Sequence, residues 1–261
     1  MSSLNDLVFR PGNLVGMGQR DINGDDTAPQ YPPGALSFIR DAYGTKILKY
    51  VKSLDAATMG SLRSAASGGT DQRSTNFTLQ TGTNNTTQCA ITGATANRHN
   101  GMIFWVSNST AGTGVAPEGE ASIVASNTAT VLTLEADYPL SATLTATDTV
   151  QCVATWQTEA AAANDQNWVV EGVAVGRDGI TAGNYGWIQI EGLVVANTDG
   201  TAQVVGSPVV AAASATVADD GAQTNEDWIG TCWITAQNDQ VNDRSLINIT
   251  RFSNGYGITA H

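Results

Sequence analysis

The residues best equipped for chemistry near the start of the chain are Asp21-Ile-Asn-Gly-Asp-Asp26. Their side-chain oxygens at alternate positions match the opening of a calcium loop. The rest of that pattern fails. Gly24 comes too early, Asp26 stands where the loop glycine belongs, and Pro32 takes the position of the bidentate Glu. A solvated turn is the expectation, with Asp21, Asn23 and Asp25 as the metal candidate set and no cofactor. Acid–base work would fall to His99 or His261, and no G-x-S-x-G elbow accompanies His99, which reads as a loop residue. The adjacent pairs Asp219-Asp220 and Glu226-Asp227 do not by adjacency set two carboxylates across a glycosidase cleft. Gly112-Thr-Gly114 lacks the further glycine and the lysine of a phosphate loop. Cys89, Cys152 and Cys232 are far apart, with no CxxC or Cys/His cluster, and read as buried free thiols. No catalytic residue is assigned, and the chain reads as a non-enzyme.

Aromatic side chains are the remaining binding candidates. In Gly183-Asn-Tyr-Gly-Trp-Ile-Gln-Ile-Glu-Gly192 a turn-forming Gly-Asn leads into an alternating run. Trp187, Gln189 and Glu191 fall on one face and Ile188 and Ile190 on the other, the period of a β-strand. Tyr185 and Trp187 are the aromatic-surface candidates, because tryptophan beside Asn, Gln and Asp stacks on sugars. The competing reading places Trp105, Trp156, Trp187 and Trp233 in the core with their indole N–H groups satisfied.

The elements that must carry these residues are strands. Only 14 % of residues are charged, and Ala, Thr, Gly, Asn and Ser fill the gap. A helical bundle would need Glu, Lys, Leu and Arg at 3.6-residue spacing. The expected fold is all-β: two small β-barrel or β-sandwich modules with an extended N-terminal arm and little helix. Residues 1–33, punctuated by Gly and Pro, read as the arm. Residues 34–75 read as a β-hairpin and linker: Ala35–Arg40 and Thr45–Lys52 are strands around Asp41-Ala-Tyr-Gly44, and 53–66 hold a short helix or turn. Residues 76–157 form a β-rich domain with strands at Gly101–Val106, Thr130–Leu134 and Thr149–Trp156. Residues 158–261 form a C-terminal barrel-like domain, with one helical turn at Ala160–Asp165. Its strands are Trp168–Val175, Tyr185–Ile190, Ala202–Val205, Trp228–Thr235 and Ser245–Arg251. No fixed-period repeat supports a solenoid.

The net charge of −12 is unevenly placed. Up to Thr75 there are eight basic and seven acidic residues; from Asn76 onward there are four and seventeen. Such an acidic body repels nucleic acid, whose binding needs Lys and Arg to replace counterions. The N-terminus lacks a basic region followed by an apolar one, and no apolar run approaches a membrane span. Neither nucleic acid nor membrane is expected as a partner.

Three segments in order resemble tailed-phage capsid decoration, or cement, proteins. The first is Tyr31-Pro-Pro-Gly-Ala35 with Tyr43-Gly-Thr-Lys-Ile-Leu-Lys-Tyr-Val-Lys52 and Gly60. The second is Ile123–Leu134 with Pro139-Leu-Ser-Ala142. The third is Gly176–Gly192, continuing to Ile229-Gly-Thr-Cys-Trp-Ile234, where Cys232 replaces a small residue. The resemblance implies a non-enzymatic virion protein on the capsid exterior, made in the host bacterial cytoplasm. It would bind the major capsid protein and itself, as a trimer, and stabilise the expanded shell. Attachment is expected through the arm and the basic cluster: Arg10, Arg20, Tyr31, Lys46, Lys49 and Lys52. The alternatives are a receptor- or glycan-binding head or tail fibre domain, and a major capsid protein, which would need a long spine helix.

Overall fold

The computed structural model describes residues 22–41, 44–65, 74–112, 114–161, 170–198, 205–212, 216–219, 230–234 and 244–249. The elements of these residues are sixteen strands. They are β1 (Leu36–Asp41), β2 (Gly44–Ser53), β3 (Leu62–Ala65), β4 (Ser74–Thr78), β5 (Gln88–Ala90), β6 (Ile103–Asn108), β7 (Ala121–Asn127) and β8 (Val131–Leu134). The second half adds β9 (Thr149–Val153), β10 (Gln157–Ala160), β11 (Val170–Ala174), β12 (Tyr185–Asn197), β13 (Pro208–Ala212), β14 (Thr216–Asp219), β15 (Gly230–Ile234) and β16 (Arg244–Ile249). The all-β expectation is met. The chain divides into two compact units, one of residues 1–65 and 158–261 and one of residues 66–157.

The first unit carries a ten-stranded sheet in the order β1, β2, β10, β3, β11, β12, β16, β15, β13, β14. β12 also pairs with β2, so β2, β10, β3, β11 and β12 form a ring. Successive side chains of a strand face opposite ways, and both faces of β2 and β12 are buried. Leu48, Tyr50 and Trp187 join one cluster with Leu62, Val173 and Ile247. Ile47, Val51, Ile188 and Ile190 join another with Ala57 and Ile180. The alternation of β12 then breaks at a register shift between Gln189 and Glu191. The buried Gln189 amide holds this bulge by donating from Nε2 to the carbonyls of Glu191 and Leu193, both at 2.9 Å. Gly192 follows at φ +90°, where a Cβ would sit 2.5 Å from the Thr45 carbonyl oxygen. Glycine suits such a bulge because it alone accepts that φ without a Cβ penalty.

The second unit is a six-stranded sheet in the order β4, β9, β6, β7, β8, β5. Its two ends approach each other: Gln80 N, just past β4, donates to Ala90 O of β5 at 2.9 Å. Burial alternates strictly along β6, with Phe104 and Val106 inward and Ile103 and Trp105 outward. The buried Asp148 carboxylate fastens two turns, accepting from Thr110 N at 2.7 Å, Thr110 Oγ1 at 2.8 Å and Thr145 N at 2.8 Å. Burial would raise this carboxyl, but these donors outweigh it and hold it below the usual carboxylate range.

The domain boundaries differ from the expectation in two ways. The hairpin of 34–53 is not a separate module, because β2 pairs directly with β12 from Tyr185↔Lys52 to Glu191↔Ile47. Nor is the whole of 1–33 a free arm. Ile22 lies in the first unit's core, and Asp26 exchanges two 2.9 Å backbone hydrogen bonds with Tyr185. Arm residues 1–21, the linker of 67–70 and the helical turn beyond Ala161 lie outside the described residues. Of the short helix or turn expected in 53–66, a turn stands at 58–61 and leads into β3, and Val205, expected in a strand, lies in a turn before β13.

His99 lies in the loop between β5 and β6, as expected, but is buried. It is 1 % exposed, edge-on to Phe77 at 5.2 Å between ring centroids, and its Nδ1 has no hydrogen-bond partner. Burial, reinforced by Arg98, pushes its pKa down to about 4. The folded state therefore refuses a proton that the unfolded chain accepts below about 6.5. Stability from this group is complete above the unfolded pKa and drains away as pH falls from about 6.5 to about 4, by on the order of 2–3 kcal/mol. Thermal melts of wild type and His99→Gln across that window are expected to converge as pH falls, with wild type the steeper.

Candidate functional site

The lysines spaced along β2 do not form a cluster in space. Lys46 and Lys52 share the parity of Leu48 and Tyr50, whereas Lys49 shares that of Ile47 and Val51. Lys46 is 1 % exposed, beside Gly192. Lys49 Nζ lies 2.8 Å from Glu171 Oε2, a partly buried ion pair. Lys52 is half-buried, its ammonium 6.0 Å from the centre of the Tyr185 ring, and burial lowers its pKa. The expected basic contact patch is thus corrected: alternation splits it between two faces, and two of its three members are consumed within the unit.

The expected aromatic surface is an internal knot instead. β2–β12 pairing sets Tyr50 opposite Trp187 and Lys52 opposite Tyr185. Tyr50 and Trp187 have ring centroids 5.0 Å apart, and Tyr50 stacks with Tyr185 at 6.0 Å. Tyr31 packs edge-on to both Tyr50 and Trp187, each at 5.3 Å. Trp187 is 2 % exposed, and its indole Nε1 has no hydrogen-bond partner. A sugar could not reach it. The Pro-Pro-Gly segment seats Tyr31 here: Gly34 N donates to Tyr50 O at 2.7 Å, and Tyr50 N to Ala35 O at 2.8 Å.

Asp25 and Asp26 close the knot. Tyr50 donates its hydroxyl proton to Asp26 Oδ2 at 2.7 Å, and Gln30 Nε2 donates to Asp26 Oδ1 at 2.7 Å. Burial and this Asp26 bond push the Tyr50 phenol well above its ordinary value. Asp25 Oδ2 accepts from Thr181 N and from Asn184 Nδ2. Burial opposes its ionisation, but those donors more than compensate and keep its carboxyl below the usual range. Of the candidate calcium residues, Asp25 thus serves as an internal acceptor, as does the neighbouring Asp26; Asn23 O accepts from Asp178 N at 3.2 Å, and Asp21 lies outside the described residues. Among the described residues no three His, Cys, Asp or Glu side chains gather as metal ligands. Arg10 and Arg20 also lie outside them.

Cys89 and Cys152 are free and buried in the second unit. Burial pushes the Cys89 thiol up to about 12, and burial with Cys89 nearby pushes Cys152 higher still. Only the thiolate reacts. An aromatic disulfide reagent at pH 8 is expected to leave both unmodified in the native protein and to titrate both after denaturation, read by mass spectrometry of the labelled peptides.

Sequence reasoning missed the exposed apolar faces. Leu36 and Phe38 of β1 are 43 % and 56 % exposed on the edge strand of the ten-stranded sheet. Trp105, read as core, is 40 % exposed. The signal was available in the alternation of Ile103-Phe-Trp-Val106, which buries only one of each pair. Together these features describe an all-β scaffold of two units whose polar side chains are engaged in holding strands and turns. Compared with family models, with curated proteins and with solved structures, the chain matches none.

Proposed function

We propose that the chain is a non-enzymatic virion structural protein that binds the outside of a phage capsid and stabilises the expanded shell. The observation that carries this reading is how two of the family-like segments combine. Tyr31-Pro-Pro-Gly-Ala35 and the strand ending Tyr50-Val-Lys52 meet Tyr185-Gly-Trp187 in one aromatic knot, although more than a hundred residues of sequence separate them. Two of the three segments that resemble decoration proteins help assemble the first unit, while the segment of 123–134 lies in the second. The outward Leu36 and Phe38 and the outward Trp105 supply the apolar area that assembly surfaces use. The burial of Trp187 weighs against the glycan-binding alternative at that site. Among the described residues α-helix is confined to Ile22 and Asn23, which weighs against the major capsid reading.

A ligand that binds one state of a shell and not the other stabilises the state it selects. The full-length protein is therefore expected to sediment with expanded shells and not with unexpanded ones, and to raise the temperature at which expanded shells break open. Equal binding to both, or binding to neither, would refute the proposal.

A further inference from the structure

We infer that the outer face of the second unit, around Trp105, is a docking surface for a protein whose contact is apolar and ringed by lysine or arginine. The inference rests on the shell-binding reading and moves the contact from the lysine strand to this face. Strand register builds the face. Ile103 of β6 lies opposite Ile123 of β7 on one side and Val153 of β9 on the other. One row on, Trp105 lies between Ala121 and Gln151. Ile103, Trp105 and Ile123 are 41 %, 40 % and 37 % exposed, and Tyr138 is 61 % exposed. Tyr138 lies in the turn held to the same end of β7, where its carbonyl accepts from the buried Ser122 hydroxyl at 2.7 Å. Large apolar side chains gathered in adjacent rows of one sheet face are a docking signature, unlike ones scattered singly.

Charge identifies the occupant. Between residues 74 and 157 the acidic residues besides buried Asp148 are Glu118, Glu120, Glu135 and Asp137, and the only basic residue is Arg98. The four lie on the segments just before β7 and just after β8, the strands beside β6 on this side of the sheet. Glu118 and Glu120 immediately precede β7, whose first residue opposes Trp105. Glu135 N donates to Ile123 O at 2.9 Å, which puts Glu135 beside the Ile103–Ile123 row, with Asp137 in the following turn. Ser141 N donates to Glu120 Oε2 at 2.7 Å, so the 135–141 turn is fastened to the same rim. An apolar centre with a one-sign acidic rim complements a basic rim, which fixes orientation and speeds encounter. Lysine-rich segments of this chain do not qualify, because β2 engages its lysines internally.

Two measurements on the full-length protein test this. The first titrates the protein into a dye-labelled short synthetic peptide of alternating Lys and Leu and follows anisotropy. Wild type is expected to bind about tenfold more tightly than Glu135→Lys/Asp137→Lys, with affinity falling as salt rises. Equal affinity would overturn the inference whether or not the chain binds shells. The second places photo-crosslinking benzoylphenylalanine at Ile123, and in parallel at Phe38, before binding to expanded shells. A crosslink from position 123 to a shell peptide rich in Lys or Arg is expected. Shell binding with crosslinks only from position 38, to a second copy of this chain, or to a peptide without basic residues would overturn the inference and leave the proposed function standing. So would a glycan array on which a neutral sugar binds and is lost in Trp105→Ala, with shell binding unchanged. Failure of wild type to bind shells while the peptide titration succeeds would remove the proposed function instead.

Discussion

Trp187→Ala is expected to lower the unfolding free energy by about 3–5 kcal/mol, the range for truncating a large buried aromatic. Trp187 is the largest fully buried side chain among the described residues. It touches Tyr50 and Tyr31 and shares a cluster with residues of all three β12 neighbours, β2, β11 and β16. Deletion would leave a cavity that Tyr31 alone cannot fill, because Gly34 and Ala35 pin its segment to Tyr50. The contrast with Trp187→Phe is sharper than the loss itself. The indole N–H is already buried without an acceptor. An unsatisfied buried donor costs about 1–3 kcal/mol, so removing it offsets part of the lost packing. Phenylalanine is expected to cost less than half as much as alanine in urea unfolding followed by circular dichroism. Equal losses would show that the orphan donor carries no penalty and that a solvent molecule satisfies it.

Period-two alternation made β2, β6, β8 and β12 legible, because each keeps at least one apolar face over four or more residues. It also failed where the strand is covered on both sides. Lys46 and Lys49 look like solvent-facing members of a basic run, yet both faces of β2 are buried, which no local pattern of one strand reveals. β3 and β10 were missed for a related reason. Leu62-Arg-Ser-Ala65 and Gln157-Thr-Glu-Ala160 are short, polar and weak in strand propensity. They become strands because each has neighbours on both sides of the sheet. The arm boundary was misplaced because Gly and Pro mark irregular backbone, not unattached backbone. Irregular residues 22–35 are held by side-chain and main-chain bonds to β2 and β12, contacts of long sequence separation. The burial of His99 was equally illegible: a polar residue in a Thr/Asn-rich stretch carries no local sign of it.

The second large effect lies where the chain leaves the first unit and returns to it. Arg63 of β3 and Ala160 of β10 are opposed in the sheet, three residues or fewer from the two crossings at Ala65 and Thr158. One carboxylate serves both. Arg63 Nη2 donates to Asp55 Oδ1, and Ala160 N donates to Asp55 Oδ2 at 2.9 Å. The Arg63 side chain is fully buried while that of Asp55 is 43 % exposed. Ser53 Oγ, at 2.7 Å from Nη2, is a neutral second acceptor. Arg63 Nε and Nη1 have no partner, so Asp55 is the anion that offsets this buried cation. Removing one partner of a buried pair costs about 3–5 kcal/mol, and the exposure of Asp55 brings the expectation for Asp55→Ala to about 2–4 kcal/mol. The cost arises from the stranded guanidinium, not from the lost attraction. Asp55→Ala combined with Arg63→Met should therefore regain most of it, since a buried pair replaced by an apolar side chain of similar volume is often neutral. Unfolding midpoints of the wild type, the two single variants and the double variant form the cycle that decides. A double variant no more stable than Asp55→Ala would mean that the bond to Ala160 N, and not the buried cation, is what fastens the crossing.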